Sequence, residues 1–171
     1  MMKLRTRRAL AVAGTAVAAS LVLSGCSTLN SLLTGDAVRD EDTGQATEES
    51  DIDIFALKVG DCMPLNESTG EMQEATIVPC DEPHADEVYY EFELPDGDFP
   101  SDEDIQAAGE AECVPAFADY VGLDYQSSVL DIWWITPTAA GWEQADDRLV
   151  QCVVYDPAND AFTGSVKGAA R

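Results

Sequence analysis

The chain has 171 residues, 33 acidic against 9 basic, and a formal net charge of −24 at pH 7. That sign repels nucleic acid, whose protein partners must neutralise phosphates, and it disfavours lying flat on an anionic bilayer. The length suits one folded domain with flanking segments rather than several domains.

The opening stretch MMKLRTRRAL carries Lys3, Arg5, Arg7 and Arg8 and no acid. A weakly apolar run, ALAVAGTAVAASLVL, follows and leads to LSGC. It is shorter than the roughly 20 residues that span a bilayer. Basic start, apolar run and small residues together predict an export signal over residues 1–25. TRRAL matches a twin-arginine signal only in part. Leu23-Ser24-Gly25-Cys26 resembles the bacterial lipobox. That resemblance implies cleavage before Cys26 and attachment of lipid to it, palmitate included. The protein is then expected on the extracytoplasmic face of the cell membrane, held by a lipid anchor. One acyl chain holds only marginally at ~0.8 kcal/mol per buried CH₂, so more than one is needed for a lasting tether.

Residues 26–56 are rich in Ser, Thr, Gly, Asp and Glu and show no sustained apolar period. They read as a lipidated, disordered acidic linker with an r.m.s. span of roughly 30 Å. The folded domain is expected over 57–156. LKVGDCM and EATIVPC read as the arms of a hairpin. In EVYYEFEL, Val88, Tyr90, Phe92 and Leu94 alternate with Glu87, Tyr89, Glu91 and Glu93, which predicts a strand with one wet face. LPDGDFPSDED is acid-rich, yet Pro100 and Ser101 stand where a calcium loop needs other residues. A turn at Asp96-Gly97 and a capping box from Ser101 to Asp104 fit better. A helix from about Asp102 to Val121 follows, with Ile105, Ala108, Ala111, Val114, Ala118 and Val121 as its apolar face. Pro115 is expected to kink or split it, and Gly122 to cap it.

LDIWWITPT predicts a strand ended by Pro137. Trp134 is expected in the core, and Trp133 either under the helix or exposed to a partner. A short helical turn at Trp142 and a last strand, LVQCVVY, complete the domain. Residues 157–171 read as a loose tail. The fold class is thus α+β: a small, mostly antiparallel sheet of about five strands covered by one main helix.

With Cys26 acylated, Cys62, Cys80, Cys113 and Cys152 remain, an even set that implies two disulfides in an exported domain. Three connectivities are possible. The hairpin favours Cys62–Cys80, and joining helix to last strand favours Cys113–Cys152. Loop entropy assigns these roughly 3 and 4 kcal/mol. No CxxC pair supports a metal site, and no cofactor is implied.

At this point the pattern VGDC, VPCDEPH, CxxxFxxYVG, PTxxxW and DRxVxC resembles the septum formation family of actinobacterial envelope proteins. Its features fall on Cys62, Cys80, Pro83, His84, Cys113, Phe117, Tyr120, Gly122, Trp142, Arg148 and Cys152. The resemblance implies a membrane-attached protein with an external domain and a link to division septa, and it implies no reaction. His84 is the chain's one histidine, and no nucleophile elbow is present, so no catalytic residue is assigned. His84, Trp133 and Arg148 are the candidate interaction residues. The expected protein is a non-enzymatic, monomeric binding or scaffolding module for an envelope protein or cell-wall partner. An envelope enzyme using a carboxylate pair and a weak divalent-cation binder are the alternatives.

Overall fold

The computed structural model describes residues 37–64 and 73–171. The signal segment and Cys26 lie outside these residues. Among the described residues six strands form two antiparallel sheets. The larger has the order β2 (Cys62–Met63), β4 (Asp86–Glu93), β6 (Leu149–Tyr155), β5 (Asp131–Ile135). The smaller pairs β1 (Ser50–Asp53) with β3 (Glu74–Ile77). The main helix, α1, spans Asp102–Val121, and a short helix, α2, spans Ala139–Gln144. This is the expected α+β class, with one strand more than the sequence suggested.

The extra strand corrects the linker reading over residues 37–56. Ser50 pairs with Ile77 and Asp53 with Glu74, which drives Ile52 to 2 % exposure. The alternation Asp51, Ile52, Asp53, Ile54 was hidden in acid-rich surroundings, yet it is the period-two signature of a strand with one wet face. Farther upstream, Arg39 forms a forked ion pair with Asp61, whose carboxylate is buried and also accepts the Lys58 amide at 2.9 Å. The arms around Cys62 and Cys80 likewise differ from a simple hairpin. Among the described residues their main chains pair at a single Cys62–Val78 bridge beside the Cys62–Cys80 disulfide, because β2 pairs with β4 and β3 with β1.

A bulge between Val88 and Tyr90 changes the parity of β4. Val88 packs with Val153, Ile52 and Ile77 on the β1–β3 side. Tyr89 packs with Phe117 and Val121 on the helix side, where Tyr90 and Phe92 also lie. Glu87 and Tyr89, expected on a wet face, are therefore buried at 0 % and 2 % exposure.

Helix α1 starts at Ser101, whose hydroxyl accepts the Asp104 amide, and ends at Gly122 in the left-handed region at φ 84°. Pro115 sits inside without dividing it. Its buried stripe is Ile105, Gly109, Cys113, Phe117 and Val121, a four-residue step that differs from the expected set and leaves Ala111 exposed. Gly109 is needed for close approach: a Cβ there would meet the Trp134 ring at 2.4 Å.

The two disulfides are Cys62–Cys80 and Cys113–Cys152. The second fastens α1 to β6 at the centre of the helix-side core. The C-terminal segment is not loose. Phe162 and Val166 are buried, Phe162 and His84 exchange main-chain hydrogen bonds at 2.9 and 2.8 Å, and the Gly168 amide donates to Tyr120. Two apolar anchors four residues apart, plus main-chain pairing, hold a terminal segment that was expected to be loose.

Candidate binding cleft

A cleft of about 910 Å³ opens where the β1–β3 sheet stops short of the β5 edge. One wall is the end of β1 and the following turn, with Asp53, Ile54 and Phe55. The other is β5 and the N-terminal part of α2. Phe55 and Phe99 both line it and are exposed at 57 % and 37 %. Volume and aromatic lining suit a site for a small or extended ligand.

Local chemistry explains each wall. The Asp53 carboxylate accepts the Phe55 amide at 2.9 Å, and this tight turn holds the Phe55 ring out of the core. On the far side Pro137 ends β5, and the Thr138 hydroxyl accepts the Gly141 amide at 3.0 Å to start α2. Trp142 donates from its indole to the Gly97 carbonyl at 2.9 Å and meets Phe99 edge-on. That contact places Phe99 at the rim.

Trp133 and Trp134 project to opposite faces of β5, yet both line the cleft. Trp134, expected in the core, packs beneath Gly109 against the helix-side core but is only partly buried. Trp133 lies neither under the helix nor free. It packs against the β1–β3 side and donates its indole N–H to Asp86 at 2.9 Å. Burial pushes the Asp86 carboxyl above its ordinary range, while the Trp133 hydrogen bond and the neighbouring His84 pull the other way.

His84 and Arg148 stand apart from the cleft. His84 is fully buried, its Nδ1 lies 2.8 Å from the Glu82 carbonyl, and its ring meets Phe162 edge-on at 4.4 Å. Its Nε2 has no partner among the described residues. Arg148 lies flat on Trp142, 3.7 Å from the ring centre, and donates to the Trp142 and Asp147 carbonyls. Its contacts with Asp96 and Asp146 are to exposed carboxylates. Both residues brace structure: His84 fixes the C-terminal segment, and Arg148 fixes α2.

Glu87, like Asp61, is a buried acid that sequence reasoning missed. It accepts the Tyr120 hydroxyl at 2.7 Å, the Ser165 hydroxyl at 2.5 Å and the Val166 amide at 2.7 Å. Burial, then the Glu87 charge, pushes the Tyr120 hydroxyl far above its ordinary value. Glu87 also lies near the sulfurs of Cys62 and Cys80, but these are bonded to each other and offer no thiolate to a metal. The signal for Glu87 was weak: only the bulge, invisible in the alternation, turns it inward.

The cleft's two carboxylates, Asp53 and Asp147, each accept a main-chain amide, from Phe55 and Leu149 respectively. Both serve turns in their own walls. No described helix is long and apolar enough to cross a membrane.

The pattern that defines the septum formation family matches residues 59–171. The chain belongs to the septum formation family. The match takes in both disulfides, α1, the β5 wall and the C-terminal segment, while Asp53, Ile54 and Phe55 lie before it. Comparison with curated proteins and with solved structures finds no match.

Proposed function

We propose that this septum formation family member is a lipid-anchored, extracytoplasmic binding module of the cell envelope, and that the cleft between the β1 turn and β5 is where it holds its partner. The observation that carries this reading is the pair of exposed rings, Phe55 and Phe99, on the walls of a cleft of about 910 Å³. Exposing such side chains costs apolar burial, and large exposed apolar groups beside a groove mark interaction sites. The export signal and the lipobox Cys26 support a tether outside the cytoplasm, where the two disulfides are stable. Binding rather than catalysis accounts for carboxylates engaged by turns and for a histidine packed under the C-terminal segment.

Two measurements test the reading. Mass spectrometry of the native protein should find an acylated Cys26 at the N-terminus, and an unmodified N-terminus removes the anchor. Photo-crosslinking in living cells from a benzophenone at position 55 should give a discrete adduct absent from position 129, where Val129 is exposed at 66 % but lies outside the cleft. Equal labelling from both positions removes the cleft as the site.

A further inference from the structure

The outer edge of β5 is unpaired among the described residues, since β5 is the last strand of its sheet. Its main-chain groups can be assigned a side. The Ile132 amide donates to the Asp131 carboxylate at 2.8 Å instead of to β6. N–H and C=O groups alternate sides along a strand, so Asp131, Trp133 and Ile135 serve the β6 ladder. Ile132 and Trp134 then turn their main-chain groups to the free edge, and the same step carries on to Thr136. The cleft follows this edge, as it is lined by Trp133 from one face of β5 and Trp134 from the other.

We propose that this edge is a docking strip for an extended, basic peptide segment of a partner protein, which adds as a further strand inside the cleft. The inference rests on the reading of the cleft as the binding site and names its occupant. Outward amides two residues apart repeat at ~6.8 Å, the period of a second peptide strand. Free edges are usually blunted by charge or proline. Here Pro137 stands at one end and Asp131 at the other, where its carboxylate takes the Ile132 amide, and the outward groups of Trp134 and Thr136 between them are left open. The charge of the partner follows from the lining: Asp53 and Asp147 are its ionisable side chains, and no Lys, Arg or His contributes among the described residues. The chain as a whole carries −24. Phe55 and Phe99 add ring faces on which a Lys or Arg side chain can lie.

The test pans a phage-displayed library of short random peptides against the full-length protein and synthesises the tightest binder. Two N-methylated versions are made, blocking the amides of one alternate set of residues or of the other. A strand added to one edge uses only one set. The expected result is a Lys- or Arg-containing binder that loses about tenfold or more in affinity with one set methylated and almost nothing with the other. Thr136→Pro, which removes an outward amide, should weaken the same peptide comparably. The methylation readout stands even if that variant folds poorly. Failure to recover any peptide, equal response to both methylated sets, or a binder rich in Asp and Glu overturns the inference. Chitotetraose serves as the sugar probe. If it binds, and binding is lost in Phe55→Ala while no peptide is recovered, the cleft stands as the binding site and the peptide strip falls. If neither probe shows Phe55-dependent binding, both readings fall.

Discussion

On one face of the large sheet, α1 and the C-terminal segment bury Phe117, Val121, Cys113 and Cys152 to 0 % exposure. On the other face, β1 and β3 cover Val88 and Val153 as completely, and Trp133 and Ile135 beside the cleft are partly buried, as Ile132 and Trp134 are on the helix side. The closed face has a disulfide, a 20-residue helix and a buried carboxylate with three donors. The open face is covered by two four-residue strands. The helix side has the more continuous cover, and the cleft lies where the cover of the other face is interrupted. Trp134 connects the two, since it packs under Gly109 and also lines the cleft.

The largest effect should come from unfastening the closed face. Replacing Cys113 and Cys152 together by Ala should cost about 4 kcal/mol from loop entropy alone, read as a lower urea midpoint. A loss under about 1 kcal/mol would show that the helix side does not depend on its bridge. Next, Glu87→Ala strands the Tyr120 and Ser165 hydroxyls and the Val166 amide, at about 3 kcal/mol. Hydrogen exchange should then rise first at Val166 and Gly168, which release from Glu87 and Tyr120. Exchange unchanged there would mean that Glu87 does not hold the C-terminal segment.

Gly109→Ala probes the connection between the faces. Its Cβ forces the Trp134 ring to move, at roughly 1–3 kcal/mol, less a little regained helix propensity. Tryptophan fluorescence should shift and cleft binding should weaken together. Stability lost with binding intact would separate the two faces.

A pH series addresses the open face. Asp86 has its folded pKa raised, chiefly by burial, so the folded state holds this proton more tightly than the unfolded chain. Its contribution is fully present below the ordinary Asp value and is lost as pH rises through the folded value. Asp86→Asn keeps an acceptor for the Trp133 indole, so it should gain stability relative to the parent as pH rises from 3 toward 7. A gap independent of pH would remove the burial argument. The smallest stability effect belongs to Phe55→Ala, within about 0.5 kcal/mol because the ring is 57 % exposed. The same change should abolish cleft binding, and a large drop in melting temperature instead would make Phe55 a structural residue.

Features that depend on near neighbours were legible in the residues alone. These are the Ser101 and Gly122 caps, the span of α1, the strand around Trp133 and Trp134, and an even cysteine set whose favoured pairing the structure contains. Family membership was legible too, because its motif residues sit at the helix, the turns and the disulfides. Tertiary structure alone decided the rest. A single bulge at Tyr89 added Glu87 and Tyr89 to the β4 side chains that are buried, and no alternation can announce a residue that breaks it. The acid-rich segment before Leu57 and the end of the chain carry few large apolar side chains. They are ordered by partners distant in sequence, β3 for one, and His84 with Glu87 for the other. The cleft follows from those choices. It exists only because β1 returns from outside the expected domain and ends beside β5.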